Sequence, residues 1–385
     1  MGLSIGLTAS APARCLHLPA ICRRTASWIG AGLSGLTVVA GLAGAPTPAH
    51  AGPTLLLDAA TGDVLYAEQP DMSWYPASLT KLMTAYVTFE AIRDGKITLQ
   101  TVVPLSEKAR GQPATRIGLR AGIELNVDQA LRGLISRSAN DFAMALAELV
   151  GGSEEGFAEK MNAAAKRLGM TRSHFTNPHG LPDPAQFSTA RDLAILARAI
   201  RKDFADRDEV FTTLNFVIYR GTFHNQNDLL RTLDGADGMK TGFTCGAGYN
   251  VVASATRDGR RLIAVVLGEP TREERSVRAA NLLEHGFKTA EWKHVLGMPK
   301  LARLQMDPAE QQPVHDMSRE TRTRQCGNHV RRVRRVPGAP RVPVARTNAD
   351  ITVGSVPRVP GVRPVAGAAT PAPKAPVAAT AATGR

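Results

Sequence analysis

Aromatic residues are scarce in this chain. They make up 5% of its 385 residues, and residues 301–385 contain no Phe, Tyr or Trp. That stretch also holds 11 of the 25 prolines. Such a segment cannot bury enough apolar surface to offset chain entropy. Residues 296–385 are therefore expected to be a basic Pro/Ala/Val-rich disordered tail. Cysteine is scarce too, with four residues, Cys15, Cys22, Cys245 and Cys326. That excludes a disulfide-built scaffold, and no Cys/His spacing suggests a metal site. Excess charge is missing from the middle of the chain. The net charge is +13, but residues 301–385 hold 14 Lys/Arg against 5 Asp/Glu, and residues 1–51 hold three Arg and no acid. Residues 52–300 are left almost neutral, so a nucleic-acid-binding core is excluded. Long apolar runs are missing beyond the start of the chain, so no further membrane span is expected.

The start itself has a clear pattern. Arg23-Arg24 precede an apolar, uncharged run from Trp28 to about Ala45, and Ala49-His50-Ala51 follows. This small-x-small ending reads as a secretory signal peptide, residues 1–51, cut after Ala51. An ordinary basic leader fits better than a twin-arginine signal. Cys15 and Cys22 leave with the leader. Cys245 and Cys326 remain, and the sequence leaves their pairing open. The position of Cys326 in the unpatterned tail weighs against it, and Cys245 reads as a structural residue.

The mature chain changes pattern twice. Thr54–Leu57 and Val64–Ala67 flank a Gly-containing turn and read as a β-hairpin. Ser78 to Arg93 is apolar at helical spacing, with Pro76 before it and Gly95 after it. Residues 100–230 read mostly as helices and loops. Gly238–Thr244, Tyr249–Thr256 and Arg261–Leu267 are strand-like, with Arg257-Asp258-Gly259 as a hairpin turn. Thr271–Phe287 reads as a covering amphipathic helix. Strands first and last with helices between imply an α+β fold. An antiparallel sheet built from both ends of the domain, residues 52–295, would face a helical insert across a cleft.

Three short motifs stand in order: Ser78-Leu79-Thr80-Lys81, Ser138-Ala139-Asn140 and Lys240-Thr241-Gly242. Alone, the first two are cheap. Their weight comes from order and context: one opens a helix, one sits just before a helix, and the third lies on a late strand. Ser78 and Lys81, three apart on a helix, share a face. A serine hydroxyl needs a base beside it to become a nucleophile. Lysine serves as that base if burial and nearby positive charge lower its pKa. Lys240 could supply that charge across the cleft. The helix start favours a developing anion. Taken one at a time, Ser78 reads equally as an N-cap, Lys81 as a solvated residue, and Ser138 and Asn140 as caps for the next helix.

The combination resembles the penicillin-recognising serine enzymes, and within them the low-molecular-weight D-alanyl-D-alanine carboxypeptidases. The surrounding runs, from Pro76 to Met83, Leu134 to Asp141, Ser188 to Leu193 and Asp237 to Thr244, carry the likeness, which spans about residues 53–290. Ala139 departs from the family, where glycine is commoner, and is expected to be tolerated. The resemblance implies a β-lactamase-like fold and an exported, periplasmic enzyme without metal or cofactor. It would remove the terminal D-alanine from peptidoglycan stem peptides, and β-lactams would be covalent inhibitors. Ser78 would be the nucleophile and Lys81 its base. Ser138 would relay a proton to the leaving amine, and Asn140 would hold Lys81. The amides of Ser78 and Phe243 would form the oxyanion hole next to Gly242. Lys240, Thr241 and Arg275 would face the substrate carboxylate. Arg275 could instead pair with Glu273, Glu274 or an Asp on a solvated face, and His179 reads as a loop residue.

The rivals are few. A class A β-lactamase needs a glutamate between the second and third motifs near residues 170–190, and none stands between Glu159 and Glu209. A DD-endopeptidase of the same family shares every motif. A non-catalytic wall-binding protein would not need Ser78, Lys81 and Lys240 intact. The arginines of 331–335 suggest electrostatic association of the tail with wall or membrane surfaces.

Overall fold

The structure, a computed structural model, describes residues 52–321 and Cys326, apart from 114, 121–122, 220, 296 and 311. The expected leader and the tail beyond Cys326 lie outside the described residues.

The first apolar runs form strands β1 (Thr54–Asp58) and β2 (Val64–Glu68), paired antiparallel. The turn between them is fixed by the Asp58 carboxylate, which accepts the amides of Ala60 and Thr61 at 2.9 and 3.0 Å. The late runs form β3 (Ala236–Thr244), β4 (Gly248–Arg257) and β5 (Arg260–Glu269). All five make one antiparallel sheet in the order β2-β1-β5-β4-β3. The N-terminal hairpin therefore docks on the last strand, as the sequence pattern predicts.

Between them lie helices α1 (Thr80–Arg93), α2 (Asn140–Gly151), α3 (Glu154–Leu168) and α4 (Ala190–Asp203). Their ends follow local chemistry. Ser153 and Thr189 cap α3 and α4 by accepting the amides of Gly156 and Asp192. Gly169, at φ +80°, ends α3. Helix α5 (Arg272–Val295) follows the sheet. Alternation along the strands divides the core in two. Leu55, Leu57, Ile263, Val265 and Leu267 face the helical lobe, whereas Leu56, Leu262, Ala264 and Val266 pack against Ala279 and Leu283 of α5.

Three expectations are corrected. The stretch read as helices and loops contains a hairpin, Asn215–Ile218 with Gly221–His224. Helix α5 continues to Val295 instead of ending near Phe287. Most importantly, the domain does not stop at residue 295. The amide of Val64 donates to Pro299 O, and that of Leu301 to Gly62 O. Arg191, paired with Asp71, donates to the carbonyl of Leu304 at 2.6 Å. Glu310 accepts the amide of Asp71 at 2.7 Å. The amide of Met317 donates to Gly246 O, and Thr321 Oγ1 donates to Cys245 O. Cys245 and Cys326 are joined in a disulfide, 81 residues apart in sequence. This belt has no periodic pattern because it is held by backbone groups and a few isolated side chains. Leu301 and Met317 are buried in the main core.

Met317 is 1% exposed. Replacing such a side chain by alanine leaves a cavity and costs about 2–5 kcal/mol. Met317→Ala in the oxidised, full-length protein is therefore expected to lower stability by that amount in chemical denaturation. A loss below about 0.5 kcal/mol, typical of surface positions, would mean that the belt contributes no packing.

Candidate active site

Ser78 lies in a single 3₁₀ turn, Ala77–Leu79, that leads directly into α1. Ala77 holds φ +48°, a left-handed conformation that costs energy for a residue with a Cβ. The surroundings enforce it. Asn250, buried on β4, donates to Tyr75 O at 3.0 Å and accepts the amide of Gly268 at 2.8 Å. Trp74 donates its indole N–H to Ala247 O. On the other side Gly180, at φ +83°, comes so close that an added Cβ would lie 1.9 Å from Ala77 O. Only glycine fits there.

Lys81 is fully buried. Its Nζ donates to Ser78 Oγ at 3.0 Å, Asn140 Oδ1 at 2.8 Å and His179 O at 2.5 Å. Burial holds its pKa well below the ordinary lysine value; the nearby charge of Lys240 lowers it further, and Asp141 opposes them. Three acceptors and no carboxylate partner suit a lysine that can give up a proton. Asn140 is itself fixed, donating to Pro113 O at 3.0 Å. Asp141 beside it accepts the amides of Ile117 and Gly118, which ties the 115–118 segment to the start of α2.

Ser138 follows a π-helical turn, Gly133–Arg137, and adopts φ +63°. Its Oγ is buried and has no hydrogen-bond partner among the described residues. Ala139 has φ −64°, an ordinary conformation for a residue with a Cβ. The backbone therefore gives a physical reason why alanine fits where glycine is commoner.

The third motif lies on β3. An added Cβ on Gly242 would lie 3.2 Å from Ser78 N and 3.0 Å from Pro76 O, so the strand touches the Ser78 turn. Phe243 is the next residue, and its ring stacks on Tyr249 at 4.3 Å. Lys240 and Thr241 are buried. Burial, followed by the charge of Arg275, pushes Lys240 down to about 7. Arg275 is itself buried, 3.9 Å from Asp228. It is pushed down to about 10 by burial, then by Arg272, with Asp228 pulling the other way. Its Nε has no partner among the described residues. The solvated-face alternative for Arg275 does not hold.

The structure thus joins Ser78, Lys81 and Asn140 by hydrogen bonds, sets Gly242 against the Ser78 turn and puts Lys240 near enough for its charge to bear on Lys81; Thr241 and Phe243 flank Gly242, Ser138 lies two residues before Asn140, and the charge of Arg275 bears on Lys240. Sequence reading missed the backbone carbonyl of His179, the close approach of Gly180 and the clamp by Asn250. The His179 ring, pushed down to about 3 by burial and then by Lys81 and Lys108, stays neutral near pH 7. A buried asparagine in an otherwise apolar strand was the one visible signal for Asn250. Among the described residues no cluster of three or more His, Cys, Asp or Glu side chains converges as a metal site would.

A family model described as D-alanyl-D-alanine carboxypeptidase matches residues 42–271. The chain is 41% identical over 243 residues to the D-alanyl-D-alanine carboxypeptidase DacA of Haemophilus influenzae, covering 62% of this chain and 62% of that protein. It is 32% identical to a D-alanyl-D-alanine carboxypeptidase from a Streptomyces strain, covering 66% of this chain and 95% of that one. Among solved structures it is similar to penicillin-binding protein D2 of Listeria monocytogenes in its ampicillin-bound form. The TM-score is 0.57 and the identity 29%, over 62% of this chain and 97% of that one. The chain spans about 62% and 60% of the length of the first two curated relatives it matches.

The charge of Lys240 lowers the pKa of Lys81, so removing that charge raises it. A base that is protonated at higher pH loses activity at higher pH. Lys240→Gln is therefore expected to move the acid limb of the pH profile for Ser78 acylation by a β-lactam upward. An unmoved limb would show that Lys81 is not the titrating group.

Proposed function

The chain belongs to the D-alanyl-D-alanine carboxypeptidase family of peptidases, and on that premise we propose that it is a serine DD-carboxypeptidase acting on peptidoglycan stem peptides. The observation that carries this reading is the buried Lys81 side-chain nitrogen, 3.0 Å from Ser78 Oγ, with no carboxylate partner among the described residues and a pKa held well below the ordinary lysine value, which favours the neutral amine. Lys81 takes the hydroxyl proton as Ser78 attacks the carbonyl between the two D-alanines. The oxyanion that forms is met by the amides of Ser78 and Phe243 at the start of the α1 turn. Ser138, whose Oγ has no hydrogen-bond partner among the described residues, relays the proton that Lys81 took on to the leaving amine, which returns Lys81 to its neutral form. Asn140 keeps Lys81 in register with Ser78. D-alanine leaves, and water hydrolyses the acyl-enzyme.

The carboxylate of the substrate meets Lys240, Thr241 and Arg275. Two of these are cations held in a dry site, where an anion gains most. We assign export to the periplasm to the leader of residues 1–51, which leaves a mature chain whose folded domain runs from residue 52 through the belt. The basic segment beyond it is assigned to contact with wall or membrane surfaces.

Ser78→Ala is expected to abolish both labelling by fluorescent penicillin and release of D-alanine. Label retained at another residue would overturn the assignment. Mass spectrometry of digested muropeptides then separates the reactions. Loss of a single terminal D-alanine supports the carboxypeptidase, and cleavage of cross-links would make the enzyme an endopeptidase.

Arg275→Ala is expected to slow acylation by peptides ending in D-Ala–D-Ala by at least about tenfold, the effect of one lost charge-assisted contact of about 1.5–3 kcal/mol. The same change should have much less effect on an analogue with an amidated C-terminus. Equal losses for the two ligands would give Arg275 a purely structural role.

A further inference from the structure

The belt after α5 lies beyond the region matched by the family model, residues 42–271, yet it ends against the strand of the candidate site. The inference below rests on the proposed reaction. Along β3 the proposed contacts have an order. Lys240 and Thr241 take the carboxylate, and the amide of Phe243 takes the scissile carbonyl. A peptide lying along this strand continues on its acyl side past Thr244 toward Cys245 and Gly246, at about 3.3 Å per residue.

At that point the wall is the belt. Met317 N donates to Gly246 O at 2.9 Å, Thr321 Oγ1 donates to Cys245 O at 3.0 Å, and the Cys245–Cys326 bridge fixes both. A Cβ on Gly246 would lie 3.2 Å from Asp316 Oδ1 and 3.7 Å from the Tyr75 ring. Tyr75 is three residues before Ser78, so Asp316 stands beside the turn that follows β3, near the segment leading to Ser78. Asp316 is exposed. Its Oδ1 accepts the amide of Ser318 at 2.9 Å and the hydroxyl of Ser318 at 2.5 Å, which sets its direction. The same two bonds, with burial opposing them, keep its carboxyl below the ordinary range. Behind it His315 packs on Trp74 at 5.7 Å, so the belt is braced on the segment that leads to the nucleophile.

We propose that Asp316, held at the acyl end of the cleft by the Cys245–Cys326 bridge, recognises a cationic side chain on the residue that precedes the D-Ala–D-Ala pair. That residue sits about two peptide steps beyond the scissile bond, and a side chain with a terminal ammonium has the reach to meet the carboxylate. The pair is solvent-exposed, so its contribution is modest and salt-sensitive.

The test compares two peptides, Nα-acetyl-Lys-D-Ala-D-Ala with a free side-chain amine and its Nε-acetylated form. The full-length oxidised protein is expected to favour the free amine about threefold in kcat/KM at low salt, and the preference should shrink as salt rises. Asp316→Asn should bring the ratio to about one, and Asp316→Glu should restore it. The double variant Cys245→Ser/Cys326→Ser, checked for folding by circular dichroism, should lose the preference as well. If that variant does not fold, Asp316→Asn alone decides. A wild-type ratio of one, or a ratio unmoved by Asp316→Asn, overturns the proposal. A folded double variant that keeps the preference overturns the role of the bridge. Fluorescent penicillin labelling of Ser78 is measured alongside. If Ser78 is not labelled, the proposed reaction fails; if it is labelled without a preference, only the role of Asp316 fails.

Discussion

Two lysines buried in one cleft set the terms for the rest of the structure. Lys81 is 0% and Lys240 1% exposed. Two ammonium groups cannot both stay charged in such a place without carboxylate partners, because the desolvation cost is several kcal/mol for each ion. The conflict is relieved at Lys81: the ammonium form donates to Ser78 Oγ, Asn140 Oδ1 and His179 O, and the neutral amine keeps the two carbonyl acceptors while its lone pair accepts the Ser78 hydroxyl. The value of the arrangement depends on keeping water out. Gly180 and Gly242 press backbone against the Ser78 turn, and Asn250 clamps that turn to the sheet. The left-handed Ala77 lies in the turn held by this packing, and Ser138 is left-handed as well, at φ +63°. Strain collected beside the reacting groups is what a preorganised site requires.

The sheet and the helical lobe were legible because both rest on periodicity. Alternation in residues 54–57 and 261–267, and helical spacing in 78–93, report buried faces directly. The three motifs were legible because their chemistry needs particular side chains at fixed places. What stayed hidden was carried by the backbone. Any residue at position 179 offers a carbonyl, so nothing in its type marks it as an acceptor for Lys81. Gly180 was visible as a glycine, but its need for φ +83° beside Ala77 follows only from tertiary approach. The belt was misread for the same reason. Backbone hydrogen bonds and isolated anchors such as Leu301 and Met317 leave no period in the sequence.

The belt also changes what the end of the domain means. It begins beside the β1–β2 turn at Gly62 and Asp63, passes Arg191 at the start of α4, and closes on the end of β3. One segment therefore touches the edge of the sheet, the helical lobe and the strand of the candidate site. A cross-link between residues 81 apart removes about 4 kcal/mol of conformational freedom from the unfolded chain in the chain-entropy picture. That stabilisation is delivered at Cys245, three residues after Gly242. The same bridge that closes the domain thus also fixes the turn that follows β3.

The bridge bears on compartment as well. Cys15 and Cys22 fall within the proposed leader, and Cys245 and Cys326 are the remaining cysteines. Once the leader is removed, the mature chain has no free thiol, because its two cysteines are spent on one disulfide. Stable disulfides belong to oxidising compartments and are rare where thiols are kept reduced. The leader and the bridge are independent observations, one from the pattern of residues 23–51 and one from the folded domain. Both support the proposed export. They are also linked by mechanism. A chain held in a reducing compartment would keep Cys326 as a thiol, and the belt would lose its only covalent fastening to β3. Its hold on the Cys245–Gly246 turn would then rest on single hydrogen bonds, from Met317 to Gly246 O and from Thr321 to Cys245 O, and on the burial of Met317. The turn that follows β3 is therefore most fully fixed in an oxidising compartment, as the proposed export requires.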